Sequence, residues 1–287
     1  MKTSTTTLML ALCLSTLSTA TMADEVGSVT SPDGQNTLAI DRSDSGQLTY
    51  TVTRGTHTLV AASPLGLVAR EADLSAGLAL SAHSTRPINE QYALPTGKCA
   101  VYHNTCNELT LIFTKGSHTL ALQCRAYDDG VAFRYVVNGD EPLTVTADKA
   151  EVNLPSFERC WAQRYVTDYS QPYPARSWSD LQGVSDNTRK LCVPALVKST
   201  EGDDCWVLLT ESQGDAQFCA SALVAGDTTH PGCFSFALQD TPTVGPAFTT
   251  PWRTLYMGTL ATIVESNLND DLNPATSLTD TSWIQAG

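Results

Sequence analysis

The sequence is poor in positive charge, in helical periodicity and in catalytic signatures, and each shortage removes a class of explanation. Only 17 lysines and arginines stand against 30 aspartates and glutamates, for a formal net charge of −13. The basic residues form no run, which excludes nucleic acid and anionic membrane surfaces as partners, since both attract clustered Lys and Arg. The acidity itself reads as a solvated surface that keeps the chain in solution. No apolar run reaches the roughly 20 residues that a bilayer-spanning helix needs. The G-x-S-x-G elbow, H-E-x-x-H, the P-loop and G-x-G-x-x-G are all missing. No C-x-x-C occurs, and no Pro/Gly/Ser linker divides the chain.

What is present begins with a processing signal. Lys2 supplies a positive start, Leu8 to Leu17 is apolar, and Thr21 and Ala23 place small residues where signal peptidase wants them. Residues 1–23 are therefore expected to be a cleaved leader, and the mature chain to be periplasmic or extracellular. Cys13 raises a lipoprotein alternative, against which Leu12 stands where a small residue is required. Beyond the leader lie Cys99, Cys106, Cys124, Cys160, Cys192, Cys205, Cys219 and Cys233. In an oxidising compartment such a set permits disulfides, although spacing does not give their pairing. Cys99, His103 and Cys106 lie close enough to suggest a metal, but the fourth ligand of a structural zinc site is not evident. A local Cys99–Cys106 bridge, or buried thiols, is the expectation.

Period-two alternation recurs along the mature chain. Leu48, Tyr50 and Val52 alternate with threonines; Leu109, Leu111 and Phe113, then Leu120, Leu122 and Cys124, then Val131, Phe133, Tyr135 and Val137 do the same. Alternation of this kind predicts strands with one buried face. Ser31-Pro32-Asp33-Gly34, Ser43-Asp44-Ser45-Gly46, Asp128-Asp129-Gly130 and Asn138-Gly139-Asp140 supply turn chemistry between them, by positive φ or by Asx turns. The expected fold is all-β, a two-sheet antiparallel sandwich forming one domain over residues 24–280.

The stretch 156–188 breaks the pattern. It carries Trp161, Tyr165, Tyr169, Tyr173 and Trp178 among prolines and arginines without clean alternation, as a long functional loop would. Its rings suit stacking on the C–H face of a sugar, with neighbouring polar groups on the hydroxyls; they equally suit the edge of a core. Both readings stay open from composition. The five histidines are scattered and read as surface residues, since spacing fixes no partner. Asp128 and Asp129 form the conspicuous carboxylate pair, but sugar hydrolysis needs two carboxyls about 5–9.5 Å apart across the bond. Adjacent turn residues diverge, so a structural role is expected for both.

Several segments together resemble the N-terminal domain of glycoside hydrolase family 97, which includes bacterial α-glucosidases and α-galactosidases. They are Ser31-Pro32-Asp33-Gly34, Ser63-Pro64-Leu65-Gly66-Leu67, the run Arg125-Ala126-Tyr127-Asp128-Asp129-Gly130-Val131-Ala132-Phe133-Arg134-Tyr135, Thr250-Pro251-Trp252-Arg253, and the closing Leu272-Asn273-Pro274 and Ser282-Trp283-Ile284. The resemblance implies a supersandwich of the galactose-mutarotase type, which in the family packs on a (β/α)₈ barrel carrying the catalytic carboxylates. Such a barrel needs some 200 residues or more, so residues 281–287 are expected to be a truncated link toward an absent barrel. The family domain also lends a glutamate to a calcium site. The matching stretch, Thr167 to Tyr173, has only Asp168, so no cofactor is expected.

Carbohydrate-binding residues are accordingly expected at Asp168, Tyr169, Tyr173 and Trp178, as an exposed platform for an α-glucoside or α-galactoside. Half of a split enzyme assembling with a separate barrel subunit is the main alternative. A truncated remnant and a self-contained hydrolase remain behind these.

Overall fold

The structure is a computed structural model that describes residues 23–94, 96–166, 168 and 170–284. The alternating segments form strands with the expected faces inward. In His118–Tyr127 every second residue from His118 is buried, so Leu120, Leu122, Cys124 and Ala126 enter the core. Asn36–Ser43 and Leu48–Arg54 behave likewise, burying Leu38, Ile40, Leu48, Tyr50 and Val52. Gly46 closes the hairpin between them with φ of 71°, a left-handed conformation that glycine adopts without steric cost, and its N–H donates to Ser43 O at 2.8 Å.

Two large antiparallel sheets and one small sheet make the sandwich. The eight-stranded sheet runs, in spatial order, through Ala23–Thr30, Asn36–Ser43, Leu48–Arg54, His57–Leu65, Glu151–Asn153, Cys233–Leu238, Ser221–Ala225 and Lys190–Leu191. The ten-stranded sheet runs from Ala175–Arg176 through Phe157–Trp161, Ala195–Ser199, Trp206–Ser212, Trp252–Gly258, Gly130–Asn138, His118–Tyr127 and Tyr102–Lys115 to Ala79–Tyr92, with Ala247–Thr249 added beside Gly130–Asn138. A four-stranded sheet built around Leu143–Asp148 closes one side. All three contribute to one buried cluster, with Ile40 and Val52 from the first sheet, Phe133 and Leu209 from the second, and Val145 from the third. The expected β-sandwich is what forms, and burial of apolar faces at about 25 cal/mol per Å² is its main stabilisation.

A second cluster lies on the outer face of the ten-stranded sheet. Ala132, Trp252 and Tyr256 point outward there and are covered by two short helices, Leu260–Glu265 and Leu268–Leu272, through Ile263, Leu268 and Leu272. Gly130 belongs to this layer. The turn signal at Asp128-Asp129-Gly130 suggested positive φ, yet Gly130 is needed for close approach: a Cβ there would sit 2.4 Å from Leu255 O and 2.7 Å from Leu268 Cδ1.

Two expectations change and one pair of alternatives is decided. The stretch 156–188 is not one loop, because Phe157–Trp161 and Ala175–Arg176 pair as strands, Trp161 opposite Ala175, and extend the sheet. A register shift between Phe157 and Arg159 breaks the alternation that would have marked the strand. Of the two alternatives for the cysteines, buried thiols hold and the Cys99–Cys106 bridge does not: the cysteines from Cys99 onward are free, Cys106 is buried in the outer layer and Cys99 is exposed. His118 is buried, against the expectation of surface histidines, because it opens a strand whose alternation points it inward. Residues 1–22 of the expected leader lie outside the described residues. Among the described residues no helix is long and apolar enough to cross a membrane.

Candidate functional site

The outer face of the ten-stranded sheet carries two different surfaces. At one end, strand pairing sets Trp161 opposite Leu196 and Leu196 opposite Leu208. Alternation sends these side chains outward with Trp206, while Val197, Val207 and Leu209 point into the sandwich. With Tyr173 and Leu260 they line an almost wholly apolar depression of about 420 Å³. The Trp161 and Trp206 rings lie 5.3 Å apart, and Tyr173 and Leu260 are 44% and 43% exposed. Six large apolar side chains open together to solvent form a patch that monomers seldom leave uncovered.

At the other end lies a polar cavity of about 650 Å³ whose walls include Glu90, Tyr92, Asn104, Arg134, Gln213 and Asp271. The two motif segments singled out in the sequence meet beneath it. Pairing of Gly130 with Tyr256 and of Phe133 with Arg253 sets Trp252 beside the hairpin that carries Arg125 and Arg134. Both guanidinium groups lie over the Trp252 ring, at 4.9 and 4.3 Å from its centroid. Arg125 Nε donates to Glu108 Oε2 at 2.8 Å, and Arg86 Nε donates to the other oxygen at 2.7 Å. Burial works to raise the Glu108 carboxyl, but these charged hydrogen bonds prevail and hold it below its usual range.

Arg134 has no such partner. Its Nε and Nη1 donate to the amide oxygens of Gln123 and Gln213, at 2.7 and 2.6 Å. Burial and the adjacent Arg125 bring its pKa down to about 10. Across the cavity, burial pushes the Asp271 carboxyl up to about 6, although Tyr92 OH donates to its Oδ1 at 2.7 Å.

The residues expected to bind sugar do not assemble as one platform. Tyr173 joins the apolar depression. Trp178, in the short helix Trp178–Leu181, packs into the sandwich, with its ring 5.8 Å from both Phe157 and Phe234. The capping box at Ser177 and Asp180 turns the chain there and leaves Trp178 on the core side. Asp168 is exposed, and its Oδ1 accepts from Ser170 N at 3.3 Å. Tyr169 lies outside the described residues. Calcium does not fit this loop: Asp168 is its one carboxylate, on the open surface and already bonded to backbone, whereas Ca²⁺ takes six or more oxygen ligands. Among the described residues no group of three acids, histidines or cysteines is placed to hold a metal.

The conspicuous carboxylates serve the fold. Asp128 Oδ1 accepts from Asp33 N at 2.9 Å and braces a turn, while the Asp129 backbone carbonyl accepts from Met257 N at 2.8 Å and burial raises its carboxyl. Asp148 and Glu211 both bind the buried Arg253. Residues missed in the sequence are Asn104, Arg134, Gln213 and Asp271. A signal existed for Arg134, which sits with Arg125 on off-beat positions of two adjacent predicted strands and so shares a face with it. For the others none was available, because they arrive from distant elements.

Residues 29–274 match the family described as "Glycosyl-hydrolase 97 N-terminal". The chain belongs to this family. It is 33% identical over 292 aligned positions to a probable retaining alpha-galactosidase of Streptomyces bingchenggensis, an alignment that covers 97% of this chain and 43% of the relative. Among solved structures it is similar to a family 97 enzyme from Pseudoalteromonas sp. strain K8 in complex with acarbose, with TM-score 0.79 and 23% identity over 90% of this chain and 40% of the other. A beta-arabinopyranosidase matches with TM-score 0.75 and 24% identity, over 86% of this chain and 42% of the other. These two likenesses show the fold. The family 97 N-terminal chain thus spans less than half the length of the relatives it matches.

Proposed function

We propose that this domain is the exported, non-catalytic part of a family 97 glycoside hydrolase system, binding carbohydrate without cleaving it. The observation that carries the non-catalytic reading is that the carboxylates inside the sandwich are committed to the fold. Asp148 and Glu211 are held by Arg253, Glu108 by Arg86 and Arg125, and Asp128 by a turn. Support for carbohydrate comes from the relatives, one named an alpha-galactosidase and one solved with acarbose. Calorimetry of the purified chain with maltose and with α-galactosides tests it, beside an assay on 4-nitrophenyl α-glucoside and α-galactoside. Heat at millimolar sugar with no nitrophenol is expected. Nitrophenol released by the chain alone overturns the non-catalytic reading, and absence of heat with every sugar overturns the binding one. Cell fractionation tests export: a cytoplasmic product with residues 1–23 intact overturns it.

The apolar depression favours a second role for the same face. Trp161, Tyr173, Leu196, Trp206, Leu208 and Leu260 offer area but almost no hydrogen-bonding groups. Sugar needs both, whereas a protein surface needs the former at its centre. We infer that this end packs against a catalytic domain, carried on the same polypeptide or a separate one, consistent with the 57% of the Streptomyces relative that the alignment leaves uncovered. Leu208→Lys is expected to abolish association with the catalytic domain of that relative in sedimentation, while leaving sugar binding intact. Unchanged association overturns the assignment.

A further inference from the structure

We propose that the polar cavity beside Arg134 is a binding site for a neutral sugar of one or two residues, separate from the Tyr173 surface. The proposal rests on the carbohydrate reading above and deepens it by naming the site and the ligand's charge.

Four observations carry it. The cavity, at about 650 Å³, falls in the range of small-ligand sites. Arg134 is a half-buried cation, laid over the Trp252 ring, whose hydrogen bonds go only to amide oxygens, and among the described residues its Nη2 has no hydrogen-bond partner. Its unused donors suit an acceptor on a ligand. Asn104 presents the opposite need. Its Nδ2 donates to Asp271 O at 3.1 Å and lies 3.4 Å from Glu90 Oε2, so the amide cannot be flipped, and Oδ1 is left buried without a donor. Gln213, which holds Arg134, sits at φ of 57°, a strained conformation for a residue with a side chain. Nothing in the turn chemistry requires glutamine there, so the strain points to its side chain.

The lining therefore asks for a ligand that donates and accepts at once. Hydroxyls do both. An anion would satisfy Arg134, but it would meet Glu90, Asp270 and Asp271 on the walls, and Glu108 already neutralises Arg125 below. A neutral polyol uses the carboxylates as acceptors and Arg134 as donor, and Tyr92, stacked on Tyr102 at 4.9 Å, gives the wall an aromatic surface.

Calorimetry with galactose, glucose, maltose and glucuronate tests the site in the whole chain, in the wild type and in two variants. Gln213→Gly removes the side chain and relieves the positive φ, so folding is expected to be retained and affinity for the best neutral sugar to fall at least tenfold. Tyr173→Ala is expected to leave that affinity within twofold. Glucuronate is expected to bind at least tenfold more weakly than the best neutral sugar. If Gln213→Gly binds as the wild type does and Tyr173→Ala does not, the carbohydrate reading stands and this site falls. Tighter binding of glucuronate overturns the neutral ligand, and no heat with any sugar overturns the carbohydrate reading together with the site.

Discussion

Arg253 Nη2 donates to Asp148 Oδ2 at 2.7 Å across the middle of the sandwich, with both side chains all but sealed from water. The same guanidinium binds Glu211 and, at 3.0 Å, Ser221 Oγ. Asp148 comes from the four-stranded sheet, Glu211 and Arg253 from the ten-stranded sheet, and Ser221 from the eight-stranded sheet. One side chain thus ties three sheets, which gives the Thr250-Pro251-Trp252-Arg253 segment a physical reason. Arg253→Met leaves two carboxylates buried without a counter-charge. A loss of about 3–5 kcal/mol in urea unfolding is expected, the usual result of breaking a buried pair from one side. A loss below about 1 kcal/mol would show the carboxylates escaping to solvent.

Gly130 makes a sharper steric test. Its partner strand, Trp252–Gly258, and the helix Leu268–Leu272 both close on the space a methyl group would fill. Gly130→Ala is expected to cost about 1–3 kcal/mol, as overpacking does. It is also expected to speed amide exchange in residues 268–272. Faster exchange in the His118–Tyr127 strand alone would contradict the packing described.

Tyr173 and Trp178, one surface in the sequence-based expectation, part company here. Trp178 packs on Phe157 and Phe234, while Tyr173 stays 44% exposed. Trp178→Ala is expected to destabilise by about 3 kcal/mol, as removal of a core aromatic does, and Tyr173→Ala by no more than about 0.5 kcal/mol, as at a surface position. Thermal melts of both variants decide it; equal shifts would return Trp178 to the surface.

Much of the sandwich was legible because alternation is a local signal. Leu120, Leu122 and Cys124 declare their face within five residues, and the glycine turns declare the hairpins. The site was not legible in the same way. Asn104, Gln213 and Asp271 reach one cavity from the strand Tyr102–Lys115, the turn after Trp206–Ser212 and a late helix. Nothing in their spacing records that meeting, because strand order in the sheet is not sequence order. Aromatic density set the segment from Trp161 to Trp178 apart, but composition cannot say which ring faces inward. There the capping box from Ser177 to Asp180 decided the direction, a detail of four residues.

Asp271 gives the pH prediction. Burial, with Asp129 and Asp270 nearby, lifts its carboxyl to about 6 despite the hydrogen bond from Tyr92. The unfolded chain titrates near the ordinary value of about 3.9, so the folded protein holds the proton more tightly. Between about pH 4 and 6 the folded state binds more protons than the unfolded state, and this group's contribution to stability falls as pH rises. The penalty for its buried charge is complete above about pH 6 and relieved below about pH 4. Other groups act in the opposite sense: the Glu108 carboxyl is held low by its arginines and loses its bonds in acid. The observable is therefore the difference between wild type and Asp271→Asn, a change that keeps an acceptor for Tyr92 OH and removes the charge. The variant is expected to have the higher urea midpoint at pH 7.5. That advantage is expected to shrink steadily through pH 6 to 4.5. Two curves running parallel across this range would show that Asp271 stays ionised in the folded protein, with water reaching it through the cavity.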